Sequence, residues 1–266
     1  MTTSKFKFCA AALISLFTLS CTKVISLKLG NDSGKLVIEG NITDVAGPQY
    51  VKLSRNVPFT GPNVYPPVTG AAVMISDDKG NTFPFTEGPA GTYSTSSVTG
   101  LSGAAYKMTV GVNGTIYTAS SVMPAAVALD TLTTKANDFN HGKNRREITV
   151  HLQDPAHVAN QYRFLMFVNG AQVNDTFAYN DDFFDGRDLS IDLVETDVDI
   201  FPGDTVRVEM QCIDKPVYTY WFALMQQSVN NPGGGVAPSN PPSNIVPACL
   251  GYFSAHTTQT KTIIVQ

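Results

Sequence analysis

Charge is scarce in this sequence: Lys, Arg, Asp and Glu make up 15% of its 266 residues, against roughly 25% in a typical soluble protein. That excludes a coiled coil and a charge-rich disordered chain, while 43% apolar residues leave ample material for hydrophobic cores. Positive charge is scarcer still. A net charge of −4 and a pI near 5.5 exclude a nucleic-acid binder that works through a basic surface. No apolar run reaches the roughly 18 residues that a membrane-spanning helix needs. Histidine and cysteine number four each, and their spacing offers no zinc site. Gly-x-Ser-x-Gly, a phosphate-cradling loop and His-Glu-x-x-His are all missing, so no familiar hydrolase, nucleotide or metalloprotease signature is present.

The N-terminus reads as a targeting segment. Lys5 and Lys7 form a basic start, Phe8 to Leu19 form a 12-residue apolar stretch, and the run closes at Thr18-Leu19-Ser20-Cys21. Small residues before a cysteine resemble the bacterial lipobox, in which the thiol becomes the attachment point of a diacylglycerol. Thr18 stands where that motif usually carries leucine, and Thr18 with Ser20 also suits ordinary secretory cleavage, which would leave Cys21 unmodified. The expectation is a signal peptide over residues 1–20 and a lipid anchor on Cys21. Two or more acyl chains hold a protein stably on a bilayer, because each buried methylene contributes about 0.8 kcal/mol. Thr22 is not the aspartate that retains enterobacterial lipoproteins in the inner membrane, which favours the outer membrane by analogy. The sequence allows either its periplasmic or its cell-surface face. Once residues 1–20 are removed, 16 basic residues face 22 acidic ones. Cys212 and Cys249 then remain as the thiols that an oxidising compartment permits to bridge.

Past a short tether (residues 21–33), runs with period-two alternation recur between turn residues, the pattern of a sandwich. Leu36–Gly40, Tyr50–Leu53, Ala71–Ser76, Thr82–Thr86, Gly91–Ser94, Ala105–Val112 and Thr115–Ser120 give seven strands, the last two joined by Asn113-Gly114, a hairpin signal. A Pro-rich loop, Asn56 to Pro67, separates the second strand from the third. Met123-Pro124-Ala125-Ala126 breaks the alternation and marks a boundary. Beyond it Arg146–Leu152, Tyr162–Val168, Leu189–Leu193 and Thr205–Ile213 read as strands, and Leu250–Ala255 with Thr258–Val265 as a closing pair. Asp214-Lys215-Pro216 supplies an N-cap and an early proline for one helix, with Val217, Tyr220, Trp221, Leu224 and Met225 at helical spacing. Asn231-Pro232-Gly233-Gly234-Gly235 opens a Gly/Pro loop after it.

Several segments together resemble a family of Bacteroidota cell-envelope lipoproteins known as domain of unknown function 4249. The carrying residues are Cys21 with Val24-Ile25, Leu36 to Asp44, Gly70 to Asn81 with Glu87, Gly91 and Tyr93, Ile213-Asp214-Lys215, Tyr218 with Tyr220-Trp221, Pro241 to Ile245, and Leu250 to Ala255. Cys249 departs from the small residue expected before Leu250. The resemblance implies a two-part β-rich lipoprotein that accompanies a TonB-dependent outer-membrane transporter, with no assigned activity.

The expected architecture is therefore all-β: two immunoglobulin/prealbumin-like sandwich domains, at 34–122 and 125–266, the second with one short helix near 217–229. Neither a catalytic residue nor a metal, a cofactor or a nucleic-acid partner is assigned; the expected partners are the lipid bilayer and the transporter. A glycan- or peptide-binding surface module is the alternative, and a hydrolase built from scattered residues the next. Asp181-Asp182-Phe183-Phe184-Asp185-Gly186-Arg187-Asp188 could offer oxygens to calcium, but Phe183 sits where a calcium loop needs a ligand. It reads as a solvated acidic turn anchored by its phenylalanines. His141, His151, His157 and His256 read as surface residues, and the Tyr218, Tyr220, Trp221, Phe222 group as core and helix–sheet packing, with a sugar platform as the alternative.

Overall fold

The computed structural model describes residues 33–58, 61–137, 144–227 and 239–266. Residues 1–20, Cys21 and the tether up to Asp32, His141 and the Asn231–Gly235 loop lie outside the described residues.

All seven strands expected in the first part form: β1 (Leu36–Thr43), β2 (Gln49–Arg55), β3 (Ala72–Asp77), β4 (Thr82–Glu87), β5 (Thr92–Thr95), β6 (Ala105–Val112) and β7 (Thr115–Val122). Their alternation decides what is buried. In β1, Leu36, Ile38, Gly40 and Ile42 point inward while the residues between them face out. The strands run in the order β1-β2-β5-β4-β3-β6-β7, and β4 pairs with both β5 and β3, so that two sheets curve over one core. Asn113 and Gly114 both take positive φ (51° and 77°), as a type I′ hairpin requires.

The second part contributes β8 (Thr131–Ala136), β9 (Arg146–Gln153), β10 (Gln161–Val168), β11 (Ala171–Gln172), β12 (Phe177–Asn180), β13 (Asp188–Leu193), β14 (Thr205–Cys212), α1 (Lys215–Met225), β15 (Ile245–Val246) and β16 (Leu250–Ile264). A β13-β9-β8 sheet packs against the β10-β14-β16 end of the large sheet. Between them lies a second core that includes Ile148, Val150, Phe164, Met166, Val208 and Met210. The fold is all-β with a sandwich arrangement and one described helix.

One strand serves both cores. The expected closing pair is a single 15-residue strand, β16. Val37 to Thr43 of β1 pair with Leu250 to His256 in parallel, and Thr205 to Cys212 of β14 pair with Ile264 to Thr257 antiparallel. Ile245, Phe253 and Ala255 consequently belong to the first core, so chain from beyond residue 125 completes the sandwich expected at 34–122. The reason is hydrogen bonding: the free edge of β1 needs a partner, and β16 provides it. On its other edge β16 meets β7 through side chains. Asn244 Oδ1 accepts the Phe253 N–H at 3.0 Å, Asn244 Nδ2 donates to the Phe253 carbonyl at 2.7 Å, and the Ala255 N–H donates to Ser121 Oγ at 2.9 Å.

Coverage on both faces explains His256. Sequence spacing placed it on the surface, yet it is buried, because β16 is sandwiched where it passes from one core to the other.

Asp214 fulfils its expected N-cap role and adds another. Its Oδ1 accepts the Val217 N–H at 3.2 Å, while Oδ2 accepts the Ser121 hydroxyl at 2.8 Å and the Val122 N–H at 3.0 Å. Burial pushes the carboxyl up, and these three donors oppose that shift. Asp214→Ala should cost about 2–3 kcal/mol, since it removes a cap and takes the acceptor from the buried Ser121 hydroxyl and from the Val122 N–H of β7. The midpoint of urea unfolding measures it, and a change below about 0.5 kcal/mol would show that the helix start and β7 are not coupled.

Candidate functional site

The N–H and C=O groups of β10 are met on both edges, by β14 and by β12 with β11, so its two faces divide the chemistry. Tyr162, Phe164, Met166 and Val168 enter the second core. Arg163 points to the other side, beneath α1, where its guanidinium lies 3.5 Å from the Trp221 ring centroid and donates to Gln211 Oε1 at 3.2 Å. Burial lowers the Arg163 pKa. Tyr220 and Trp221 each stand 5.1 Å from the Tyr252 ring. These aromatics pack helix against sheet, as expected, and Arg163 covers one face of the indole. Tyr218 and Phe222 stack on each other at 5.3 Å.

The two sequence-designated thiols are not bridged. Cys212 and Cys249 are both free, Cys212 within the second core and Cys249 against the first. Cys212 pairs with Thr257, and Cys249 precedes Thr257 by eight residues, roughly 26 Å of extended chain. A disulfide requires Cα atoms about 4.4–6.8 Å apart. Burial pushes the Cys249 thiol up to about 11 and raises Cys212 as well, which leaves both protonated and weakly nucleophilic near neutrality.

The acidic segment after β12 differs from the solvated turn expected. Asp181 is buried, whereas Phe183 is 83% exposed and Phe184 48%, so the phenylalanines do not anchor the loop. What anchors it is a carboxylate from another loop, the buried Asp154 just after β9. The Tyr162 hydroxyl donates to Asp154 Oδ1 at 2.5 Å and the Gly186 N–H to Oδ2 at 3.1 Å. The Asn160 N–H donates to Asp181 Oδ2 at 2.8 Å, and the His157 N–H to Asp185 Oδ1 at 2.7 Å. One carboxylate oxygen from each of Asp154, Asp181 and Asp185 lies within 4.8 Å of the other two. Phe184 and Asp188 of the same segment line a separate cleft of about 110 Å³ with Tyr179 and Leu189, which none of the three carboxylates enters.

Burial, reinforced by the charges of Asp154 and Asp185, holds the Asp181 carboxyl above its ordinary range, against the pull of the Asn160 N–H. Such a group can keep a proton between carboxylates or face a hard cation that takes oxygen ligands. Four of the six oxygens already accept hydrogen bonds from Tyr162, Gly186, Asn160 and His157, so few remain for an ion. Because the folded chain holds the proton more tightly than the unfolded one, stability falls as pH rises through and above the ordinary carboxylate range. Asp181→Asn should therefore raise stability near pH 7 by about 0.5–1 kcal/mol, with the gain vanishing near pH 3. Melting curves at both pH values in chelator check this; an equal gain at both would point to packing instead of charge.

Sequence reasoning missed Asp154, and no local signal marks it, since its partners are assembled only by the fold. His151 meets Thr133 Oγ1 at 2.7 Å and Ser190 Oγ at 2.9 Å on the outer side of the β13-β9-β8 sheet. His157 is exposed, with Nδ1 3.8 Å from Asp185.

Among solved structures, the chain is similar to a two fibronectin type-III domain segment of chicken tenascin, at 13% identity over 68% of this chain and 91% of that one, TM-score 0.22. It is also similar to the adhesin InvE of Yersinia pseudotuberculosis, at 18% identity over 68% of this chain and 57% of that one, TM-score 0.22. No curated protein matches it. The model of a family described as domain of unknown function, DUF4249, matches residues 22–262, and the chain belongs to that family.

Proposed function

We propose that this chain is a non-enzymatic, lipid-anchored outer-membrane protein of the Bacteroidota lipoprotein kind, an accessory binding or assembly module beside a TonB-dependent transporter. One observation carries the anchor: a basic start and a 12-residue apolar run end at Leu19-Ser20-Cys21, and the family match begins at the next residue, 22. A cut before Cys21 would thus release the whole family domain with the acceptor thiol at its head. Two or more acyl chains there would hold it for long residence times. Among the described residues no helix is long and apolar enough to cross a membrane. The transporter is what the family resemblance implies. Affinity isolation from envelopes solubilised in mild detergents tests it: a TonB-dependent transporter should co-elute in stoichiometric amount. Recovery of the chain without one, across several mild detergents, would count against the accessory role.

A further inference from the structure

Strand directions fix which end of the first core carries the tether. β1 runs away from Ser33; β2 returns beside it, so Arg55 stands next to the chain start, where its Nη1 donates to the Gly34 carbonyl at 2.7 Å and the Gly34 N–H donates to the Asn56 carbonyl at 3.0 Å. Following the pairings around the sheets puts the end of β4, the start of β3, the end of β6 and the start of β7 at this same end. Leu250, paired with Val37, is there too. From that level β16 climbs to the second core, over roughly 46 Å for its full length.

Three features converge on this end. The first is apolar exposure. Pro66 and Pro67 run along the last residues of β2, through the Arg55 N–H to the Pro66 carbonyl and the Ser54–Pro67 bridge, which carries Val64 and Tyr65 beyond the strand ends. Val64 is 72% exposed, Tyr65 55%, Ile116 64% and Val246 67%. Val246 pairs with Thr118, so it is a diagonal neighbour of Ile116 on the outward face.

Charge is the second. Residues 33–124 carry five basic and five acidic residues, whereas residues 125–266 carry nine basic and sixteen acidic, a net −7. Lys35 and Arg55 flank the chain start, and the nearby Glu87 carboxylate is engaged by the Gly70 and Gly91 N–H groups at 2.8 and 3.0 Å. The acidic part thus lies beyond the first core, several Debye lengths from the tethered end at about 8 Å each in physiological salt.

Reach is the third. Ser33 is twelve residues from Cys21, at most about 40 Å of extended chain.

We infer that this end, with Val64 and Tyr65 as its tip and Ile116 and Val246 at its flank, rests on the lipid bilayer that holds the acyl chains. The inference depends on the anchor proposed above. Apolar tips and a tyrosine suit the headgroup boundary, where amphipathic rings concentrate. An end with Lys35 and Arg55 beside the single carboxylate of Glu87, on a first core of no net charge, meets an anionic surface without repulsion, and the acidic second core is held away from it.

The test uses the mature chain isolated from envelopes, in vesicles of phosphatidylethanolamine and phosphatidylglycerol doped with dibromostearoyl phosphatidylcholine, whose bromines quench nearby tryptophan. Trp221, the sole tryptophan, stacks on Arg163 in the second part and provides the unquenched background. Tyr65→Trp should add emission that the brominated lipid cuts by about twofold. Leu101→Trp is the control: Leu101 is 56% exposed, close to the 55% of Tyr65, at the other end of the first core, where the Gly100 N–H donates to the Thr43 carbonyl. Its added emission should be unchanged. No quenching of Tyr65→Trp, or equal quenching of both, overturns the docking surface. Intact mass of the same preparation reports the anchor separately. If acyl chains are missing, the anchor reading fails, and coupling Cys21 to a maleimide phospholipid, in a chain with Cys249→Ser, still reads the docking surface by the same two probes.

Discussion

Gly251→Ala should abolish folding at 37 °C. Gly251 has φ of +96°, and a Cβ there would lie 2.0 Å from the Ile38 carbonyl oxygen and 2.7 Å from its carbon. Both are backbone atoms of the paired residue on β1, so no side-chain rotation relieves the contact. The strand must leave β1 at the point where it completes the first core, and a loss of at least about 4 kcal/mol is expected. Gly170→Ala is the matched control. It shares a positive φ (+88°) but has nothing within 4 Å of the added carbon, so only backbone strain of about 1–2 kcal/mol applies. Thermal melts and soluble yield compare the two. Equal behaviour would mean that the close approach of β16 to β1 is not obligatory.

Acidification should remove a stabilising contribution of His256. Burial, helped by the positive charge of Arg163, holds its pKa down to about 3, and its Nδ1 is 2.9 Å from Ser254 Oγ. Unfolded, the imidazole titrates near about 6.5. The unfolded chain therefore binds the proton first, so the stabilising contribution is complete above about pH 6.5 and is lost progressively as pH falls toward 3. Between pH 6.5 and 4.5 this contribution alone should fall by about 2–3 kcal/mol. Carboxyls held below their ordinary values, such as Asp192 beside Lys135 and Thr149, add to the loss at lower pH, whereas Asp181, Asp214 and Glu195 oppose it. Burial pushes Glu195 up to about 7, so its penalty for the folded state is relieved across the same interval. His256→Gln should lower stability at pH 7 and, with Glu195 left unopposed, turn the dependence from pH 6.5 to 4.5 toward higher stability on acidification. Urea midpoints along that pH series read the difference. A variant with the wild-type slope would place the acid sensitivity elsewhere.

Both predictions fall on β16, the element that sequence patterns describe least well. Residues such as Val73, Ile75 and Val110 alternate cleanly because their strands each cover one core, so period-two reading finds them. β16 changes partner near His256, and there Gly251 to Thr257 are all buried. Alternation disappears where both faces are covered, so the pattern yields two strands where one runs through. Short β15 and the edge strand β8 carry too few apolar residues to register. The helix start was legible because Asp214 and Pro216 act locally; the bonds from Asp214 to β7 were not, since Ser121 and Val122 lie more than 90 residues earlier. The acidic cluster was half legible for the same reason. Asp181 and Asp185 share a loop, but the burial that changes their chemistry comes with Asp154. The cysteine count allowed a bridge that two separate cores forbid.

The anchor is the central claim, and the mass of the mature N-terminus tests it most directly. Intact-mass and N-terminal peptide spectrometry of the chain taken from its native envelope should find Cys21 as the first residue, carrying a thioether diacylglycerol with or without a third amide-linked chain. A chain that keeps residues 1–20, or one that begins at an unmodified Cys21, would contradict the account.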